Sequence, residues 1–108
     1  MLTIDNIFAE IEDVAQAANA DVRITGTDEN TELHVTLFTK GTGSETCSVT
    51  RRKRFGRGEF ETQIGWYSSS SNSVGHADLD RLLQHLAAIR VIARFLEMVL
   101  PNQQKVGN

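Results

Sequence analysis

DLDRLLQHLAAIRVIARFLEMVL, residues 78–100, decides the fold; it ends at Pro101, the only proline in the chain. Placed on a helix, Leu79, Leu82, Leu83, Leu86, Ile89, Ala93, Leu96 and Leu100 fall along one side, the spacing of an amphipathic helix. Asp78 reads as the N-cap, a carboxylate able to accept from free first-turn amides. Asp80 suits the positive end of the helix dipole. Pro101 pushes the preceding residue toward extended geometry and stops the helix. The first half keeps a wet face of Asp80, Arg81, Gln84 and His85. In the second half Val91, Phe95, Met98 and Val99 take over that side, leaving a narrow polar stripe of Arg90, Arg94 and Glu97. A helix apolar on nearly all sides is covered on more than one of them. The expectation is a homodimer with Val91, Phe95 and Met98 at the contact.

Working outward, residues 4–19 place Ile4, Ile7, Phe8, Ile11, Val14, Ala15 and Ala18 on one stripe, with Glu10, Glu12, Asp13 and Gln16 off it. This is a first helix, capped by Thr3 or Asp5 and stopped at Asn19. Four strand patterns follow at 21–27, 32–39, 46–55 and 59–67, separated by turn chemistry at 28–31, 40–44 and 56–58. Short turns between alternating segments predict an antiparallel meander. Residues 68–77 read as a polar connector and 102–108 as a frayed tail. The fold class is α+β: helix, four-stranded antiparallel meander, and a long C-terminal helix packed on the sheet, forming one domain over 1–101. Trp66 and Leu86 are expected in its core.

Hydrophobic residues make up 40% of the 108, enough for one core. No apolar run approaches the ~20 residues of a membrane span. Acids interrupt the apolar positions of the N-terminal stretch, which lacks the pattern of a signal peptide. The reading is a cytoplasmic protein that does not engage a membrane. The single cysteine, Cys47, falls in a strand pattern and reads as a buried, inert thiol. The net charge of −3 hides an asymmetry: residues 1–45 hold nine acids against two bases, and residues 46–108 nine bases against five acids. Such polarity lets a chain pair with itself or steer a charged partner.

No catalytic, cofactor or metal-binding motif emerges. KGTGSET, residues 40–46, has its lysine ahead of the glycines and a strand after them, so it reads as a hairpin loop and not a phosphate cradle. His76 and Asp78 lack a third ligand at a recognisable spacing. The expectation is a protein without enzymatic activity or cofactor.

The informative motif is RRKRFGR: Arg51, Arg52, Lys53, Arg54, Phe55, Gly56 and Arg57 hold five of the eleven bases. Side chains on a strand alternate faces, so both faces of this segment are cationic. It is expected to project beyond the core as a basic hairpin end, with Gly56 and Arg57 in the loop. Arg54 then faces Glu59 and Arg52 faces Glu61. Arg51, Arg52, Lys53, Arg54, Phe55 and Arg57 are the candidate binding residues, expected to serve binding far more than folding.

In order of elements the chain resembles double-stranded-RNA-binding domains. Their second helix opens with a lysine-rich phosphate grip, where this one opens with Asp78 and Asp80. The acidic first helix, antiparallel sheet and long apolar last helix also resemble dimeric secretion chaperones, which carry a further helix between strands. The expected function is a small protein-binding accessory module, of the interaction or inhibitor type found among phage and mobile-element proteins, meeting an acidic protein surface. The alternatives are nucleic-acid binding through phosphates held by Arg51–Arg57, and a dimeric chaperone-like role.

Overall fold

The computed structural model describes residues 3–27, 31–54, 58–66 and 76–102, without the side chains of residues 76–78. The order is α1 (Ile4–Ala17), β1 (Ala20–Gly26), β2 (Glu32–Thr39), β3 (Glu45–Lys53), β4 (Phe60–Trp66) and α2 (His76–Val99). The strands form one antiparallel sheet in the order β1-β2-β3-β4, and both helices pack on the same layer. The expected α+β meander is therefore the observed architecture. Among the described residues no helix is long and apolar enough to cross a membrane.

Thr3 caps α1, its hydroxyl accepting from the Asn6 amide at 3.1 Å. Asn19 takes the left-handed conformation with φ 59°, the usual way a helix hands over to a turn, and β1 starts one residue later. Ile7, Ile11 and Ala15 are the positions α1 buries. The start of α2 differs from the sequence reading. The helix begins at His76, so Asp78 lies in its first turn and is not the cap. Nothing at His76 or Ala77 breaks a helix, and the polar stretch ends two residues sooner than its composition suggested.

Strand register sorts the sheet into two faces. Val22 and Ile24, Leu33, Val35 and Leu37, Cys47, Val49 and Arg51, and Thr62, Ile64 and Trp66 share the face under the helices. Against it α2 packs Ile89, Ile92 and Leu96, all fully buried with Ile11, Leu37, Val35, Val49 and Cys47. Ile92, absent from the stripe read in the sequence, lies at the centre of this contact. The opposite face is polar, with Arg23 over the Phe38 ring at 5.0 Å and His34 Nδ1 2.6 Å from Thr50 Oγ1. Burial pushes the Cys47 thiol up to about 11, against a weak opposing bond from Thr46, so it stays protonated and inert at neutral pH.

α1 lies along β1 and α2 runs chiefly over β3, leaving β4 half covered. This corrects two expectations. Trp66 is on the helix side of β4 but 63% exposed, and Leu79 and Leu83 are 44% and 55% exposed. A period of two reveals which face a residue takes, not whether anything covers it there.

A third correction concerns His85, read as part of a wet face and in fact fully buried. A bulge explains it. Between Leu37 and Phe38 the partner on β3 jumps from Cys47 to Glu45, leaving Thr46 as the extra residue. Thr46 Oγ turns toward α2, donating to the Leu37 carbonyl at 3.2 Å and meeting His85 Nδ1 at 2.7 Å. Nε2 has no hydrogen-bond partner among the described residues, and the backbone carbonyls of Asn19 and Ala18 act on the imidazole. Burial lowers the His85 pKa; the Asn19 carbonyl opposes this, and the Arg81 charge reinforces it. The folded protein thus protonates at lower pH than the unfolded chain. The stability from a neutral His85 is complete above the ordinary histidine pKa of 6.5 and is lost as pH falls through the folded value. The urea midpoint should hold from about pH 8 to pH 7 and fall between about pH 6.5 and 5.5. In a His85→Leu variant that fall should flatten; an unchanged slope would remove His85 as its cause.

Candidate functional site at the β3–β4 hairpin

The four consecutive bases Arg51 to Arg54, at the end of β3 and just past it, do three different things. Arg51 points under α2 and is only 5% exposed. Its Nε donates to the Leu100 carbonyl at 2.6 Å, one terminal nitrogen donates to Thr62 Oγ1 at 2.8 Å, and the other approaches Asn102 Oδ1 at 3.4 Å. Its guanidinium also lies 5.6 Å from the centre of the Phe60 ring. Desolvation lowers its pKa and the Glu97 charge opposes that shift; a guanidinium stays protonated regardless. A cation just past the last turn also suits the negative end of the α2 dipole. The inference that a doubly cationic segment must lie beyond the core fails here, because an arginine can lay its stem on apolar neighbours and bond its head to a helix end.

Arg52 and Arg54 lie on the other face and share one carboxylate. Arg52 Nε meets Glu61 Oε1 at 3.0 Å and Arg54 Nε meets Glu61 Oε2 at 3.3 Å. The expected opposition of Arg52 to Glu61 is the observed register, and the Arg54 amide donates to the Glu59 carbonyl at 2.8 Å. Lys53 is exposed and makes no ion pair among the described residues. Phe55, Gly56 and Arg57 lie outside the described residues, as do the side chains of His76 and Asp78.

Asn102 belongs to the site although its sequence position suggests a tail. Its Oδ1 accepts from the Phe60 amide at 2.6 Å, joining the start of β4 to the end of α2. No sequence signal marks it, because a lone polar residue after a proline has no pattern. Of the residues proposed for a dimer contact, Val91 and Met98 are 41% and 51% exposed, and Phe95 leans on the core. Ile64 and Trp66 on β4, and Leu79 and Leu83 on α2, are further exposed apolar side chains.

Among the described residues no three His, Cys, Asp or Glu side chains come together as a metal site. The best-formed cavity is an open notch of about 190 Å³ at the β1–β2 end, lined by Ile4, Phe8, Ile24 and Val99 among others, with no titratable side chain. No protein-family model, curated protein or solved structure matches the chain.

Arg51 and its neighbours should separate cleanly on mutation. Arg51→Ala removes bonds from a buried charged group and should cost roughly 1.5–3 kcal/mol. Arg52→Ala and Arg54→Ala break exposed pairs and should cost about 0–1 kcal/mol each. Urea unfolding of the three variants measures the difference, and equal small losses would show that Arg51 does not hold α2.

Proposed function

We propose that this chain is a non-enzymatic protein-binding module that meets an acidic partner with the outer end of the β3–β4 hairpin. The observation that carries this reading is the charge balance there. Among the described residues, exposed Arg52, Lys53 and Arg54 ion-pair with one carboxylate only, Glu61, shared by two guanidiniums. Glu32, opposite Arg52 on β2, makes no ion pair with them, and Arg57 is a further base in the sequence. Arg51, committed to α2, is left out of the binding set. A protein partner suits the chain better than a polyanion. The net charge is −3, and α1 carries Asp5, Glu10, Glu12 and Asp13, which would repel a long phosphate backbone.

The test is a variant with Arg52, Lys53 and Arg54 changed to serine, which keeps Arg51 and should stay folded. Its probes are a glutamate-rich peptide and random-sequence duplex DNA and RNA, each titrated against salt. The native protein should bind the acidic peptide and the variant should lose most of that binding, chiefly through slower association. Strong nucleic-acid binding with a steep salt slope would replace this reading with phosphate recognition. A folded variant that binds the peptide as well as the native protein would exclude the hairpin end.

A further inference from the structure

The direction of the β4 backbone groups follows from three hydrogen bonds. The Lys53 amide donates to the Thr31 carbonyl, toward β2, so the next amide, Arg54, faces β4 and reaches the Glu59 carbonyl. Successive residues on a strand alternate the edge to which their N–H and C=O point. Glu59 faces β3, so Glu61, Gln63 and Gly65 do too, along a register without a bulge. Phe60, Thr62, Ile64 and Trp66 then face away from the sheet. Phe60 bears this out, because its amide is taken by the Asn102 side chain and not by a strand. Beyond that plug, no backbone hydrogen bond reaches the outward amides of Thr62, Ile64 and Trp66 from any described residue.

An edge that no described residue closes is a template for another strand, and proteins ordinarily blunt it with charge, proline or a bulge. From Thr62 to Trp66, TQIGW, β4 has none of these. The apolar side chains of Ile64 and Trp66 on this strand are exposed, as are Leu79 and Leu83 on α2. We propose that this edge is the seam of a homodimer, in which β4 of one copy pairs antiparallel with β4 of a second copy about a two-fold axis at Ile64.

The occupant is a second copy because the strand complements itself. A two-fold at Ile64 sets Ile64 against its own equivalent and Thr62 against Trp66, all outward-facing positions. About six backbone hydrogen bonds then close, two per hydrogen-bonded pair. On the polar face Gln63 meets Gly65, which has no side chain to obstruct it. The basic ends, beside Phe60, point to opposite extremities and do not repel. The spacing of the helices also fits. α2 lies over β3, so the two α2 helices stand three strand spacings apart, about 14 Å. A helix is about 10–12 Å across, which leaves a narrow cleft over the paired β4 strands, on the side that carries Trp66 of both copies. One operation thus satisfies the open edge and covers the apolar side chains of β4 beside it. It does not depend on what the basic hairpin end binds.

The full chain is the test object, and Trp66, its only tryptophan, is the built-in probe. Sedimentation across a dilution series should give a dimer. Tryptophan emission should shift to the red, and acrylamide quenching should rise, with the same midpoint as dissociation. Ile64→Pro removes an outward amide while leaving the β3–β4 ladder intact, and should abolish the dimer. Ile64→Lys changes a side chain that is 39% exposed and sets two cations on the two-fold, so it should do the same if the proline variant fails to fold. Val91→Lys with Met98→Lys should leave the dimer intact. A native protein that stays monomeric at all concentrations overturns the proposal. So does a dimer that survives Ile64→Lys or is lost through Val91 and Met98.

Discussion

The hydrogen bond from Arg51 to the Leu100 carbonyl, at 2.6 Å, is the constraint on which the rest of the arrangement depends. Residue 51 lies on β3, and Leu100 follows the last turn of α2. At the other end of β3, Thr46 meets His85 on the same helix at 2.7 Å. Two side chains of one strand thus pin α2, one at its C-terminal end and one nearer its middle, and lay it along β3. With α1 beside β1, the two helices cover three strands, and the fourth is left with an exposed inner face. The apolar flank at Ile64 and Trp66 follows from where α2 is tied.

The order of elements and most strand positions were legible because they rest on local patterns. Alternation in β2, helical spacing in α1, and glycines between β2 and β3 each report on a few neighbouring residues. What was not legible depends on contacts between distant segments. Arg51 looks like its neighbours Arg52 and Arg54 until the end of α2 is placed above it. His85 looks like a surface residue until a bulge at Thr46 turns a hydroxyl toward it. Trp66 and Leu83 carry the composition of core residues, but the core ends before reaching them. For Arg51 and Trp66 the local signal was read correctly for side and wrongly for cover; His85 was put on the wrong side of α2.

The basic run gains a division of labour from this geometry. Its first residue serves the fold, and its next three form a small cationic end held in shape by Glu61. Asn102 works at the same junction, closing the first outward amide of β4 and bonding weakly to Arg51. The hairpin end and the open edge are therefore neighbouring surfaces with different chemistry, one charged and one made of backbone and apolar side chains. Under the two proposals, the module would join a copy of itself through one and a charged partner through the other.

Native-state hydrogen exchange at Leu100 tests the central constraint most directly. Its amide bonds to the Leu96 carbonyl at 2.9 Å, at the point where helices ordinarily fray. If Arg51 pins this turn, the Leu100 amide exchanges as slowly as those of Ile92 and Leu96 in the native protein, and orders of magnitude faster in Arg51→Met while Ile92 remains slow. Rapid exchange at Leu100 in the native protein, equal to that in Arg51→Met, would contradict the account.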